Sequence, residues 1–289
     1  MQKTKTYRVA DHLFAVTADD NCFDHMKQYA PFETADDSDR VFCLTVAQDE
    51  AYPNVEVTIE TSQDDEGSQI IAGRTTDGRN YIEFQLRGSR SARMLTTSDY
   101  TSATVWLEKN RLFGLNNAIM VLYAMATARK GTALFHAAVV GRGGRAYMFL
   151  GKSGTGTSTH ASLWVRYLSG AELVNDDNPV VRVFDDRIMV YGSPWSGKTP
   201  CYRNMSLPLG AIVQLRQAPR NEIRRLRGIE AYASLVPSIS GKRWDRSVAD
   251  GLHETENALA GRAPMWFLDC LPDEAAAVLC STTVEEAHD

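Results

Sequence analysis

The residues best suited to chemistry lie in one run, Phe149 to Trp164, reading FLGKSGTGTSTHASLW. Gly151 and Gly156 match the two glycines of the phosphate-loop spacing G-x-x-x-x-G-K-S/T, and Ser158 takes its last position. Glycines so spaced let the backbone curl until successive N–H groups face one anion. The free donors and dipole of a following helix favour the same charge. Gly151, Lys152, Ser153, Gly154, Thr155, Gly156, Thr157, Ser158 and Thr159 are therefore candidate phosphate-binding residues, with Ser158 offering a hydroxyl to Mg²⁺. A glycine-rich turn without a ligand is the alternative. Thr157 stands at the lysine position. Its hydroxyl carries no charge to neutralise β/γ-phosphates, although backbone donors still bind phosphate without one. Lys152, within the loop, and Lys198, in GSPWSGKTP, are the cations that would substitute; each also reads as a solvated surface lysine.

A second constellation is VNDDNPVV, where Asp176 and Asp177 follow a short apolar run. Adjacent carboxylates at a strand end can hold Mg²⁺ and take the proton of an attacking hydroxyl. An acidic turn closed by Asn178-Pro179 is the plainer reading, but one helix downstream of a phosphate loop the pair becomes a functional candidate. Asp185-Asp186 reads as a hairpin turn. The segment SPWSGKTPCYRN gathers Ser196, Lys198, Thr199 and Arg203, with Trp195 and Tyr202 as packing anchors. Arg203 suits phosphate recognition, and a structural loop is the competing account. His136 is either a polar contact at the site or a satisfied core histidine. A serine-hydrolase elbow is excluded because Thr155 stands where G-x-S-x-G needs glycine. HETEN is not a zinc motif, since Asn257 replaces the second histidine.

The elements that must position these groups alternate in the second half of the chain. FHAAVV, the turn GRGG and RAYMFL predict a β-hairpin feeding the loop, and THASLWVRYLS predicts a helix after it. ELVN, PVVRVF, RIMVYG, GAIVQLRQ and MWFLDCL read as strands. The first half is different: VFCLTVA, NVEVTIE, NYIEFQLRG and SATVWL are β-rich, separated by breaks such as QDDEG and TTDGR. Two domains are expected, 1–110 and 111–289. The first reads as an accessory domain or a contact surface between subunits of a homo-oligomer. The helix expected over Leu115 to Lys130 is apolar enough to be buried between the two.

With 31 Lys+Arg against 36 Asp+Glu, the net charge of −5 argues against nucleic acid as a partner. No apolar run reaches membrane-span length, and the start lacks the apolar stretch of a secretory signal. Five cysteines without C-x-x-C spacing point to reduced thiols rather than a disulfide framework or zinc cage, so a cytoplasmic protein is expected.

Taken together, His136, the hairpin feeding GKSGTGTS, the Asp176-Asp177 pair and SPWSGKTPCYRN make residues 131–285 resemble the kinase domain of HPr kinase/phosphorylase. Small bacterial homologues of that kinase are similar. The resemblance implies an α/β fold with a mixed sheet, of the phosphoenolpyruvate-carboxykinase P-loop type, preceded here by a smaller β-rich domain. It implies ATP and Mg²⁺, and phosphate transfer to a serine of a protein or peptide. It implies one Asp of the pair as base and the other near the metal. Asp176 is assigned as base and Asp177, with Ser158, to the metal, roles that two adjacent carboxylates can exchange. Lys198 and Arg203 would offset developing charge. Thr157 departs from the family pattern at the lysine. It favours a second expectation, a non-catalytic nucleotide or phosphate sensor.

Overall fold

The computed structural model describes residues 1–286 except Asp49, Glu66, Ser153 and Lys198. The chain is α/β with mixed sheets, in two compact units, Met1–Thr127 and Ala128–Asp289. No helix among the described residues is long and apolar enough to cross a membrane.

In the first unit, β1 (Lys3–Val9) and β2 (His12–Ala18) form a hairpin, followed by α1 (Asp20–Asp24), β3 (Glu33–Thr34) and β4 (Phe42–Val46). Next, β5 (Val57–Asp65), β6 (Ser68–Thr75), β7 (Asn80–Leu86) and β8 (Ser89–Thr96) make an antiparallel meander that β9 (Ser102–Leu107) extends. The sheet order is β3-β1-β2-β4-β9-β8-β7-β6-β5, with β2–β4 and β4–β9 parallel. The helix α2 (Arg111–Thr127) lies on β7, β8 and β9. A Cβ on Gly114 would stand 2.7 Å from the Ser91 carbonyl oxygen, so glycine is what permits this approach. The division between units therefore falls after α2, at Thr127, and not after residue 110.

The second unit opens with β10 (Thr132–Leu134) and the hairpin β11 (Ala137–Arg142) and β12 (Arg145–Leu150). The hairpin turns on Gly143 and Gly144 at φ 58° and 74°. Two successive positive values are the geometry that matches strand twist, and glycine adopts it without strain. Then come α3 (Thr157–Tyr167), β13 (Glu172–Asp177), β14 (Val180–Val183), β15 (Ile188–Tyr191) and β16 (Ser206–Gln217). They are followed by β17 (Glu222–Leu226), α4 (Gly228–Leu235), α5 (Arg246–Arg262), β18 (Met265–Cys270) and α6 (Glu274–Glu286). The strand order is β10-β14-β15-β16-β12-β11-β13, with β18 parallel beside β16 and β17 antiparallel beside β18.

Residues His160, Ala161 and Trp164 give α3 one buried stripe at helical spacing. Trp164 packs on Tyr147 and Phe149 of β12, at ring centroid distances of 5.0 and 5.3 Å. Ala277, Cys280 and Val284 of α6 complete the same core. Removing the Trp164 ring would cost about 3–5 kcal/mol, the scale of a large-to-small core change. This packing fixes the start of α3 against the sheet.

Candidate functional site

Strands β12 and β16 are parallel, β16 and β18 are parallel, and β13 is antiparallel to β11, itself antiparallel to β12. All four of β12, β13, β16 and β18 consequently finish at one edge of the sheet. The glycine loop leaves β12 there, and the Asp pair closes β13 there. Register makes the juxtaposition specific. Ala138 pairs with Phe149 on one side and Asp176 on the other, so these three form one row across the sheet. At about 4.8 Å per strand, Asp176 lies roughly 10 Å from the strand that feeds the loop. The acidic pair belongs to β13 itself rather than to a turn after it.

Within the loop, the Thr155 N–H donates to the Lys152 carbonyl at 2.9 Å, a tight turn. Thr155 folds back so closely that a Cβ on Gly151 would stand 2.9 Å from its own Cβ. Gly154 and Gly156 have φ of 80° and 98°, values that a side chain would strain. Gly156 is the N-cap of α3 and supplies no side-chain cap. The N–H groups of the first turn are thus left for another acceptor. Thr157 is the first helical residue, half-buried, while Ser158, Thr159 and Lys152 are exposed. The Gln217 side-chain amide, at the end of β16, donates to the carbonyls of Gly154 (3.2 Å) and Thr155 (3.3 Å). A trans peptide sets its N–H opposite its C=O, so this anchor turns the Gly156 N–H away from Gln217.

The two carboxylates differ. Asp176 is 3% exposed, and its Oδ2 has no hydrogen-bond partner among the described residues. Asp177 is partly exposed; its Oδ1 stands 2.8 Å from His136 Nδ1, and its Oδ2 accepts from Asn178 Nδ2 at 2.7 Å. Its φ of 149° is strained for a residue with a side chain. Gly197 fits against the pair, its N–H donating to the Asp176 carbonyl at 2.6 Å. A Cβ there would come within 3.1 Å of the Asp177 Cβ. His136 is anchored through its own N–H, which donates to the Ser238 carbonyl at 2.7 Å. Buried Asn175 holds the following turn: its Oδ1 accepts from the Asn178 N–H, and its Nδ2 donates to Ser193 and to the Trp195 carbonyl. Trp195 is buried, as an anchor should be.

Behind the loop, His160 Nε2 accepts from the Trp164 indole N–H at 3.1 Å, and the ring meets Phe149 edge-on. Burial pushes the His160 pKa down to about 4, so the ring is neutral at pH 7. With Nε2 accepting, Nδ1 carries the proton, and that group is buried without a partner among the described residues.

The structure thus brings together Gly151, Lys152, Gly154 to Thr159, Asp176, Asp177 and His136. It does not bring Arg203. That guanidinium donates to the Leu173 carbonyl (2.7 Å) and to Glu172 (2.8 Å), at the opposite end of β13 from Asp177. A bulge at Val174 lengthens the strand between them. Ser153 and Lys198 lie outside the described residues. Asp185 and Asp186 occupy the β14–β15 turn, with Asp186 paired to Arg187. His253 and Asn257 bond to each other on α5. Gln217 and Ser193 are structural supports that sequence reasoning misses, since only the sheet register brings them to the loop and to Asn175, which itself adjoins the pair in the chain. Among the described residues no group of three or more His, Cys, Asp or Glu side chains is arranged to hold a metal.

No family model and no curated protein sequence matches the chain. Among solved structures it is similar to the HPr(Ser) kinase/phosphatase from Coxiella burnetii, at 12% identity and a TM-score of 0.33, over 54% of this chain and 90% of that one.

Proposed function

We propose that the chain is an ATP-dependent phosphotransferase of the HPr-serine-kinase kind, its Ala128–Asp289 unit a P-loop domain of the phosphoenolpyruvate-carboxykinase type. It would phosphorylate a serine of a protein or peptide. The observation that carries this reading is Asp176: a buried carboxylate oxygen without a partner among the described residues, in the strand row that reaches the glycine loop. Such an oxygen costs about 1–3 kcal/mol or more. A proton from an acceptor hydroxyl, or a cation, satisfies it.

In this reading the N–H groups at Gly156 to Ser158 hold the phosphates. Ser158 and Asp177 would hold Mg²⁺. The donor set suits that ion, which needs one or two protein oxygens and takes the rest from phosphate and water; when bound it offsets phosphate charge. His136 fixes the Asp177 carboxylate. Asp176 takes the serine proton as the serine oxygen bonds to the γ-phosphorus and the bridging oxygen leaves with ADP. Lys152, exposed within the loop, would stand in for the missing lysine. Calorimetric titration of ATP and ADP, with and without Mg²⁺, tests the reading. Micromolar, Mg²⁺-dependent binding supports it, and no heat with either nucleotide overturns it.

Thr157 favours a second reading, a non-catalytic nucleotide sensor that keeps the loop without the charge needed for transfer. Labelled transfer from γ-phosphate to lysate proteins separates the two.

A further inference from the structure

We propose that an open groove between α4 and α5 docks an acidic segment of a partner polypeptide, independently of the phosphate chemistry. The groove has a volume of about 780 Å³. It adjoins Leu226, which pairs with Met265 at the beginning of β18, whereas the glycine loop lies at the edge where β18 ends. A strand of this length separates the two by roughly 20 Å.

Charge supplies the first argument. Arg225 and Arg227 line the groove, and no Asp or Glu does. Among the described residues neither guanidinium has a carboxylate partner. Arg225 instead lies over the Trp266 ring at 4.8 Å, and burial together with the Arg227 charge lowers its pKa. Neighbouring Arg224 is paired with Glu230, so the unpaired positive charge is confined to the groove.

The floor is preorganised by a directed hydrogen-bond chain. The Tyr232 hydroxyl donates to Glu256 Oε2 at 2.9 Å, so its oxygen accepts from His253 Nδ1 at 2.8 Å. His253 Nε2 then accepts from Asn257 Nδ2 at 2.9 Å. Glu256 is fully buried, and its other oxygen accepts from Arg243 at 2.6 Å. The buried carboxylate is thereby neutralised and does not cancel the two arginines. Asn257 keeps one amide hydrogen and its carbonyl for a ligand.

Shape and apolarity select the occupant. Ile229 is 79% exposed on the rim, beside the cations. A small inorganic anion has no use for it, while a peptide with acidic and apolar side chains in alternation uses both. Nucleic acid is disfavoured by the net charge of −5 of the whole chain.

The test is fluorescence anisotropy with a labelled octapeptide of alternating Glu and Leu, and a Gln-for-Glu peptide as control. The acidic peptide should bind saturably and the control should not. R225Q/R227Q should weaken binding about tenfold or more, the scale of lost charge-assisted contacts. Ile229→Asp, at an exposed position, should weaken it comparably without a change in thermal melt. R187Q/R246Q, which removes two exposed arginines elsewhere on the unit, should leave it unchanged. Equal affinity in R225Q/R227Q and the parent would overturn the proposal. So would an equal loss in R187Q/R246Q, or full displacement of the peptide by millimolar inorganic phosphate. Nucleotide titration of R225Q/R227Q should match the parent, so this result stands apart from the kinase reading.

Discussion

His136 holds Asp177 through a 2.8 Å contact between Nδ1 and Oδ1, while the adjacent Asp176 keeps a buried oxygen with no partner among the described residues. Two identical side chains, consecutive in sequence, therefore occupy opposite electrostatic situations. Their main chains pair with successive residues of β11, Asp177 with Ala137 and Asp176 with Ala138, so Asp176 lies in the row shared with Phe149 while the Asp177 carboxylate meets the His136 imidazole.

Asp176→Asn should separate stability from function. Replacing a carboxyl group whose buried Oδ2 has no partner among the described residues should leave the melting temperature unchanged or raised, whereas a core residue with satisfied bonds would lower it. If transfer occurs, turnover should fall by about 10²–10⁴-fold, the usual contribution of a positioned base. Thermal melts and γ-phosphate transfer on the same preparation check both halves.

Thr157→Lys should restore the missing ammonium at the first residue of α3. Nucleotide affinity should rise by roughly 1–3 kcal/mol, one charge-assisted contact. Calorimetry in parallel with Lys152→Ala shows whether the charge has instead moved within the loop.

Gln217→Ala should loosen the loop without touching the phosphates directly. Two hydrogen bonds to an exposed amide contribute about 0.5–1.5 kcal/mol each. Nucleotide affinity should fall several-fold with the melting temperature nearly constant, and Gln217→Glu, which cannot donate, should behave like alanine.

His160 makes the second unit acid-sensitive. Its pKa is about 4 when folded and near 6.5 when unfolded, so the unfolded chain binds the extra proton first. The contribution is intact above pH 6.5 and declines as pH falls toward 4, by roughly 3 kcal/mol in total. His160→Phe removes that proton site. Denaturant melts of both proteins between pH 7 and 4 should show the parent losing stability faster.

The glycine loop and the acidic pair are legible in the sequence because their chemistry is local: spacing, φ-permissive residues and a helix start. Arg203 is misjudged from sequence because a neighbour in the chain, SPWSGKTPCYRN, is spread along β13 once the register is set. The β1–β2 hairpin is illegible for a different reason. Its turn is Ala10-Asp11 at φ 46° and 60°, a conformation normally announced by glycine or asparagine. Gln217 depends on the parallel pairing of β12 with β16, which no local pattern encodes.

The place of β4 in the first sheet has a consequence for the newborn chain. Its neighbours are β2, already made, and β9, which follows only after the whole β5–β8 meander. During synthesis the apolar strand FCLTV must therefore wait with one edge open for several seconds, at ordinary ribosomal rates, until Leu107 emerges. The meander closes quickly because its pairings are local, but β4 depends on the slowest, most distant partner in the unit. An open apolar edge of this kind is where a nascent chain pairs with the wrong neighbour. Holdase chaperones should engage this segment before any other in the unit.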